Sequence, residues 1–97
     1  MKPIIAALLL ALSLGVAAKP HRSAAERLAF VRENPCPSTG LRRGTCPGFQ
    51  VDHAVPLCAG GSDTRANMQW LTIQQHREKT RRDLRVCREL RKNRTAT

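Results

Sequence analysis

The stretch FQVDHAVPLCAGGSDTRANMQWLTIQQHREK, residues 49–79, decides the fold of this 97-residue chain. Side chains that alternate over residues 49–57, together with two β-branched valines, predict a first strand that ends at Pro56. Gly60-Gly61 permits a turn, and residues 67–72 predict a second, antiparallel strand. The stretch therefore predicts a loose hairpin. The segment that follows the hairpin directly carries His76, the second histidine of the stretch.

That segment predicts a long basic helix. Thr72 and Gln75 have the spacing of a capping box, and nothing in residues 73–93 would break a helix. Steps of three and four residues give the helix an inner face, which comprises Ile73, His76, Thr80, Leu84, Cys87 and Leu90 or Arg91. Arginines surround the rest of the helix, so its outer surface should be strongly cationic.

Upstream of the hairpin, the sequence predicts a short helix and an irregular loop. Ser23 and Glu26 have the spacing of a capping box, and Asn34-Pro35 should end the helix. Residues 34–48 hold three of the six prolines and three of the six glycines, which is typical of a loop. Together with the hairpin and the long helix, these elements predict an α+β fold.

Residues 1–18 predict a signal peptide. Lys2 supplies a positive start, residues 4–16 are almost unbroken apolar sequence, and Val16-Ala17-Ala18 suits a signal peptidase. A membrane anchor is the alternative, but the apolar run is shorter than the ~20 residues of a membrane span. We therefore expect residues 19–97 to form one exported domain, periplasmic or extracellular, without stable membrane association after cleavage.

The predicted mature domain holds all four cysteines, Cys36, Cys46, Cys58 and Cys87. An exported chain should join them as two disulfides, and zinc is the rival although no C-x-x-C pair occurs. If His53 and His76 meet at one site, Cys58 lies about 17 Å from it along extended chain and Cys87 about 16 Å along the helix. This favours a Cys58–Cys87 bond and leaves the other two cysteines to pair. Three connectivities remain open at this point.

Charge identifies the class of partner. The chain has a formal charge of +10, and removal of Lys2 with the signal peptide leaves +9 on the mature domain. Clustered Lys and Arg bind polyanions by neutralising phosphates and releasing counterions, so nucleic acid is the expected partner. A secreted protein whose charge only keeps it soluble, and a cationic membrane-active peptide, are the alternatives that charge does not separate.

The central stretch holds the groups that phosphodiester hydrolysis needs: a base, cation ligands and hydrogen-bond donors. Asp52 and His53 are adjacent on a strand, so they should have different jobs. Asp52 and His76 can share one divalent metal, which leaves His53 as a base suited to neutral pH. The amide of Asn67 can hold the segment of His53 in place. One interpretation of Asp63 is a turn cap, and we do not include it in the predicted site.

These typed positions, D-H-x-x-P-L-x-x-G-G-x-D-x-x-x-N-x-Q-W-L followed by H-x-x-K, resemble the HNH endonuclease family, the ββα-metal or His-Me finger nucleases. The resemblance covers residues 51–82, within a motif core of residues 49–82. It implies that His53 is the general base and that Asn67 orders the loop. It also implies that His76 binds the metal together with Asp52.

The flanking segments ENPCPSTG and GTCPGFQVDH resemble small exported bacterial HNH proteins with paired cysteines. Family members often carry C-x-x-C pairs that bind structural zinc, whereas this chain has none. The difference favours disulfides in the same bracing role. The expected fold is therefore a small ββα-metal core with an N-terminal helix and a long C-terminal helix, braced by two disulfides.

The resemblance implies a monomeric, metal-dependent endonuclease that leaves 3′-hydroxyl and 5′-phosphate ends. One divalent ion would serve it, Mg²⁺ or Mn²⁺ first, with Ni²⁺, Co²⁺ or Zn²⁺ as alternatives. The helix would lie against the minor groove and contact the backbone, with Arg77, Lys79 and Arg81 near phosphates, which gives little sequence specificity. DNA is favoured over RNA by family analogy. A non-catalytic nucleic-acid-binding module on an HNH scaffold is the alternative function.

Overall fold

Two helices and a two-stranded antiparallel sheet form the part of the chain that the computed structural model describes, residues 23–96. The elements are α1 (Ala24–Glu33), β1 (Phe49–His53), β2 (Met68–Thr72) and α2 (Ile73–Ala96), with 3₁₀ turns at Leu57–Ala59 and Arg65–Asn67. The predicted α+β class is confirmed. The predicted signal peptide lies outside the described residues.

The first strand is shorter than predicted, because it ends at His53 and not at Pro56. Beyond His53 the chain bonds to one asparagine instead of to a strand: the Ala54 N–H donates to the Asn67 carbonyl at 2.8 Å, and the Val55 N–H donates to Asn67 Oδ1 at 2.9 Å. Asn67 itself belongs to a 3₁₀ turn, so β2 begins one residue later than predicted. The backbone and the side chain of Asn67 together therefore bond to the two residues that follow β1.

Helix α1 begins and ends where the sequence predicted, but only one of the two hydrogen bonds of the predicted capping box forms. Ser23 Oγ accepts from the Glu26 N–H at 3.1 Å, as expected. The Glu26 carboxylate does not return to Ser23 and instead accepts from the Arg65 backbone N–H at 2.8 Å. The Ser23 N–H donates to Asp63. Both differences tie the N-terminus of α1 to the loop between the strands.

The apolar side of α1 packs on β2. Ala29, Phe30 and Val31 are buried, and the rings of Phe30 and Trp70 have centroids 5.6 Å apart. The Trp70 indole N–H also donates to the Asn34 carbonyl at 2.8 Å. Burial of side chains of this size contributes about 1.5 to 3 kcal/mol each, which a ten-residue helix needs for stability.

Helix α2 begins with the predicted capping box. The Gln75 N–H donates to Thr72 Oγ1 at 3.1 Å, and the Thr72 N–H donates to Gln75 Oε1 at 2.9 Å. Within residues 23–96 no helix combines the length and the apolar content that a membrane span needs.

The predicted inner face of α2 is only partly covered. Cys87 is buried, and Leu84 lines a cavity together with His76 and Thr80, although Leu84 and Leu90 are still 57% and 39% exposed. A helix of 24 residues is about 36 Å long and a strand of five residues spans about 17 Å, so the sheet is too short to cover the whole of α2.

Two disulfides, Cys36–Cys46 and Cys58–Cys87, use all four cysteines and confirm the favoured pairing. A four-cysteine zinc site is thereby excluded. The first bond closes the loop between α1 and β1, and the second joins the turn Leu57–Ala59 to α2.

Candidate functional site

A cavity of about 560 Å³ lies where β1, the loop after it, α1 and α2 meet. Three of the predicted site residues line it: Asp52 and His53 from β1 and His76 from α2. Asp63 and Arg27, which the sequence analysis did not assign, line it as well. Although Asp52 and His53 are adjacent, both line this cavity, because the strand ends at His53.

Asp52 is the buried acid of the site, only 8% exposed. Its Oδ2 accepts from the Gln69 amide at 3.0 Å and from the Lys79 ammonium at 3.1 Å. Its Oδ1 lies 3.8 Å from His76 Nε2. One carboxylate oxygen is thus engaged within the protein, and the other faces the imidazole with which it is predicted to share a metal.

The imidazole of His53 contacts a carboxylate that the sequence analysis left out. His53 Nε2 lies 2.8 Å from Asp63 Oδ1, and the His53 side chain is 15% exposed. The other ring nitrogen, Nδ1, hydrogen-bonds to no group within residues 23–96. The signal in the sequence was the aspartate of G-G-x-D, which we interpreted as a turn cap.

Asn67 bonds to the backbone of the loop that follows His53. Its Nδ2 donates to the Val55 and Ser62 carbonyls at 2.9 and 2.8 Å, and its Oδ1 accepts from the Val55 N–H. Gly61 makes this approach possible, because a Cβ there would lie 1.9 Å from the Val55 carbonyl oxygen. These are the kind of bonds expected of Asn67, while its importance for catalysis stays a prediction.

The side chain of Lys79 contacts two residues of the site, Asp52 and His53. Its ammonium donates to the His53 carbonyl at 2.8 Å and to Asp83 at 2.6 Å, in addition to Asp52. Burial alone would lower the pKa of Lys79, but its bonds to Asp83 and Asp52 raise that pKa above the ordinary lysine value. All three ammonium hydrogens have acceptors, so the predicted contact of Lys79 with a phosphate would require one of these bonds to break.

Arg77 and Arg81, the other two predicted contacts for nucleic acid, are exposed on α2. They lie one helical turn apart, so their guanidinium groups can reach neighbouring phosphates of one strand. Of the three predicted phosphate contacts, Arg77 and Arg81 are therefore open to solvent, whereas the Lys79 side chain is mostly buried and bonded within the protein.

The predicted metal ligands form a sparse set. Within residues 23–96 no group of three or more His, Cys, Asp or Glu residues is placed to hold a metal ion. Asp52 Oδ1 and His76 Nε2, 3.8 Å apart, can both reach one cation at about 2.1 Å each. Such a pair fits a divalent ion that keeps most of its water, and it does not fit a closed zinc site.

Comparisons of the chain with protein-family models, with curated proteins and with solved structures find no match. The evidence for function is therefore the cavity and the three predicted site residues that line it, Asp52, His53 and His76.

Proposed function

We propose that this protein is a metal-dependent endonuclease of the HNH type that hydrolyses phosphodiester bonds, with DNA as the favoured substrate. The observation that carries the proposal is the cavity to which β1 contributes Asp52 and His53 and α2 contributes His76. A carboxylate, two imidazoles and a mature charge of +9 are what phosphate hydrolysis on a polyanion requires.

Each residue has a role in the proposed reaction. Asp52 and His76 would hold one divalent cation, which would neutralise charge on the phosphate and on the leaving oxygen. His53 takes a proton from the attacking water, whose oxygen bonds to phosphorus while the bond to the 3′ oxygen breaks. The 3′ oxygen leaves with the bonding electrons and takes a proton from solvent. Asn67 keeps the His53 loop in place. The products carry 5′-phosphate and 3′-hydroxyl ends.

We expect the purified, oxidised protein to convert supercoiled plasmid to nicked and linear forms in Mg²⁺ or Mn²⁺. Addition of EDTA should stop the reaction, because two protein ligands cannot retain a hydrated cation against a chelator. Ligation of the products without end repair would verify the predicted ends. A rate that EDTA does not change would contradict the metal requirement, and the same assay on RNA tests the substrate preference.

Replacing Arg77 and Arg81 with alanine should lower the affinity for DNA and make that affinity less sensitive to salt. If each contacts one phosphate, the slope of log K against log salt should fall by about 1.8 in magnitude, at about 0.9 per contact. Fluorescence anisotropy with a labelled duplex in EDTA measures this without cleavage. The control is the Arg32→Ala/Arg43→Ala variant, which removes two exposed arginines upstream of β1. An equal loss in both variants would contradict binding through α2.

A nucleic-acid-binding module without catalysis is the second candidate function. The contact between Lys79 and Asp52 favours it, since an internal ammonium already neutralises part of the carboxylate that a metal would need. This candidate predicts salt-sensitive DNA binding and no cleavage in Mg²⁺, Mn²⁺, Ni²⁺, Co²⁺ or Zn²⁺. Nicking in any one of these ions would decide for the endonuclease.

A further inference from the structure

The Asp63 carboxylate connects helix α1 with the imidazole of His53. Its Oδ2 accepts the backbone N–H of Ser23, the residue that caps α1. Its Oδ1 lies 2.8 Å from His53 Nε2. The two oxygens of one carboxylate thus serve two different partners, which lie 40 and 10 residues away along the chain.

This arrangement decides which ring nitrogen of neutral His53 carries the proton. An ionised carboxylate accepts hydrogen bonds and cannot donate them, so the Nε2 that faces Asp63 must be the protonated nitrogen. The lone pair then belongs to Nδ1, which has no hydrogen-bond partner within residues 23–96. Only the nitrogen with a lone pair can remove a proton from water.

We propose that Asp63 is a positioning residue for His53, which holds the imidazole as its Nε2–H tautomer and leaves Nδ1 as the proton acceptor. Helix α1 takes part in this function, because the backbone N–H of its N-cap residue, Ser23, donates to the second oxygen of the carboxylate. The importance of the tautomer for cleavage rests on the proposed endonuclease function, whereas the tautomer itself is a property of the protein without substrate.

A second set of bonds holds the same loop without contacting the imidazole. Glu26 of α1 bonds to Arg65, and Glu33 at the end of α1 bonds to Arg65 Nη1 at 2.7 Å. Glu33 therefore offers a matched control: it is an acid that links α1 to the loop through Arg65, as Asp63 links it through Ser23. A purely structural role for Asp63 predicts that loss of either acid has similar consequences.

Substitution Asp63→Asn gives a specific expectation. The amide has one acceptor oxygen, and the Ser23 N–H needs it, so the NH₂ group must face His53 Nε2. That nitrogen then has to accept, and the ring proton moves to Nδ1. We expect ¹⁵N spectra of the histidine rings, recorded on the oxidised protein without metal and above pH 8, to show Nε2–H in the wild type. In Asp63→Asn they should show Nδ1–H, and in Glu33→Gln again Nε2–H.

Kinetics should separate positioning from binding. In Asp63→Asn, kcat for plasmid nicking should fall about 10- to 100-fold, while KM changes less than about twofold. In Glu33→Gln, both constants should stay within about twofold of the wild type.

The wild-type spectrum alone can overturn the proposal, because an Nδ1–H tautomer of His53 would show that Asp63 does not keep the ring in the Nε2–H form. This test does not require that any variant folds. An unchanged tautomer in a folded Asp63→Asn variant would also overturn it, as would equal losses of kcat in Asp63→Asn and Glu33→Gln. If the tautomers behave as expected and the wild type cleaves no nucleic acid in any metal, the proposed function fails while the role of Asp63 in holding His53 stands.

Discussion

The His53→Ala variant is expected to nick plasmid about 10²- to 10⁴-fold more slowly than the wild type at saturating metal, the range that a positioned general base contributes. The reason is the place of the imidazole, which lies in the cavity beside the proposed metal pair and whose Nδ1 has no hydrogen-bond partner among residues 23–96. DNA affinity should change little, because the imidazole is not one of the basic groups on the surface of α2. Single-turnover nicking together with anisotropy binding measures both quantities.

A control from the same loop makes this result specific. Val55 follows His53 by two residues, and its side chain is 49% exposed, while its bonds to Asn67 use only the backbone. Val55→Ala therefore shortens a side chain in this loop without removing a proton acceptor, and it should cut at the wild-type rate. Undiminished cutting by His53→Ala would assign the base to another group. Partial restoration by added imidazole would support proton transfer at this position.

Removing the Cys58–Cys87 bond should have the largest effect on stability. The bond closes a segment with a sequence separation of 29, and the loss of chain entropy in the unfolded state predicts a stabilisation of about 3.5 kcal/mol. A domain of this size has a free energy of unfolding of roughly 4 to 12 kcal/mol, so the loss is a large share of the total. We expect urea unfolding of Cys58→Ala/Cys87→Ala, followed by circular dichroism, to show this decrease.

The other disulfide provides the comparison. Cys36→Ala/Cys46→Ala opens a segment with a sequence separation of only 10, for which the same relation predicts about 2.7 kcal/mol. Nicking should also suffer more when the longer segment is opened, because the Cys58–Cys87 bond holds the turn after His53 against the helix that carries His76. A larger stability loss from opening the short segment would contradict this assignment.

Local signals in the sequence were sufficient for most of the fold. Ser23 and Thr72 marked the two helix starts because a capping hydroxyl bonds within three residues of itself. Asn34-Pro35 marked the end of α1, since the residue before a proline avoids helical geometry. For the site, the order of the residues predicted that Asp52, His53 and His76 would act together, and all three line one cavity.

The features that the sequence did not predict were contacts between residues far apart along the chain. Glu26 had an acceptable partner three residues away, and only the packing of α1 against the loop brings it to Arg65, 39 residues along the chain. In the same way, a turn cap was a sufficient local interpretation of Asp63 until the loop placed it beside His53. Leu84 is on the predicted face and lines the cavity, yet it is 57% exposed, and helical periodicity does not reveal how much of a face is covered.

The packing of α1 on β2 also gives the molecule a built-in optical reporter. The chain has one tryptophan and no tyrosine, so almost all its intrinsic fluorescence comes from Trp70. That indole lies against Phe30 of α1 with the two rings tilted by 53°, and it donates to the carbonyl of Asn34, the residue that caps the end of the helix. Emission from the unlabelled protein should therefore report whether α1 is docked, and the cap of α1 is the residue whose N–H donates to the Asp63 carboxylate.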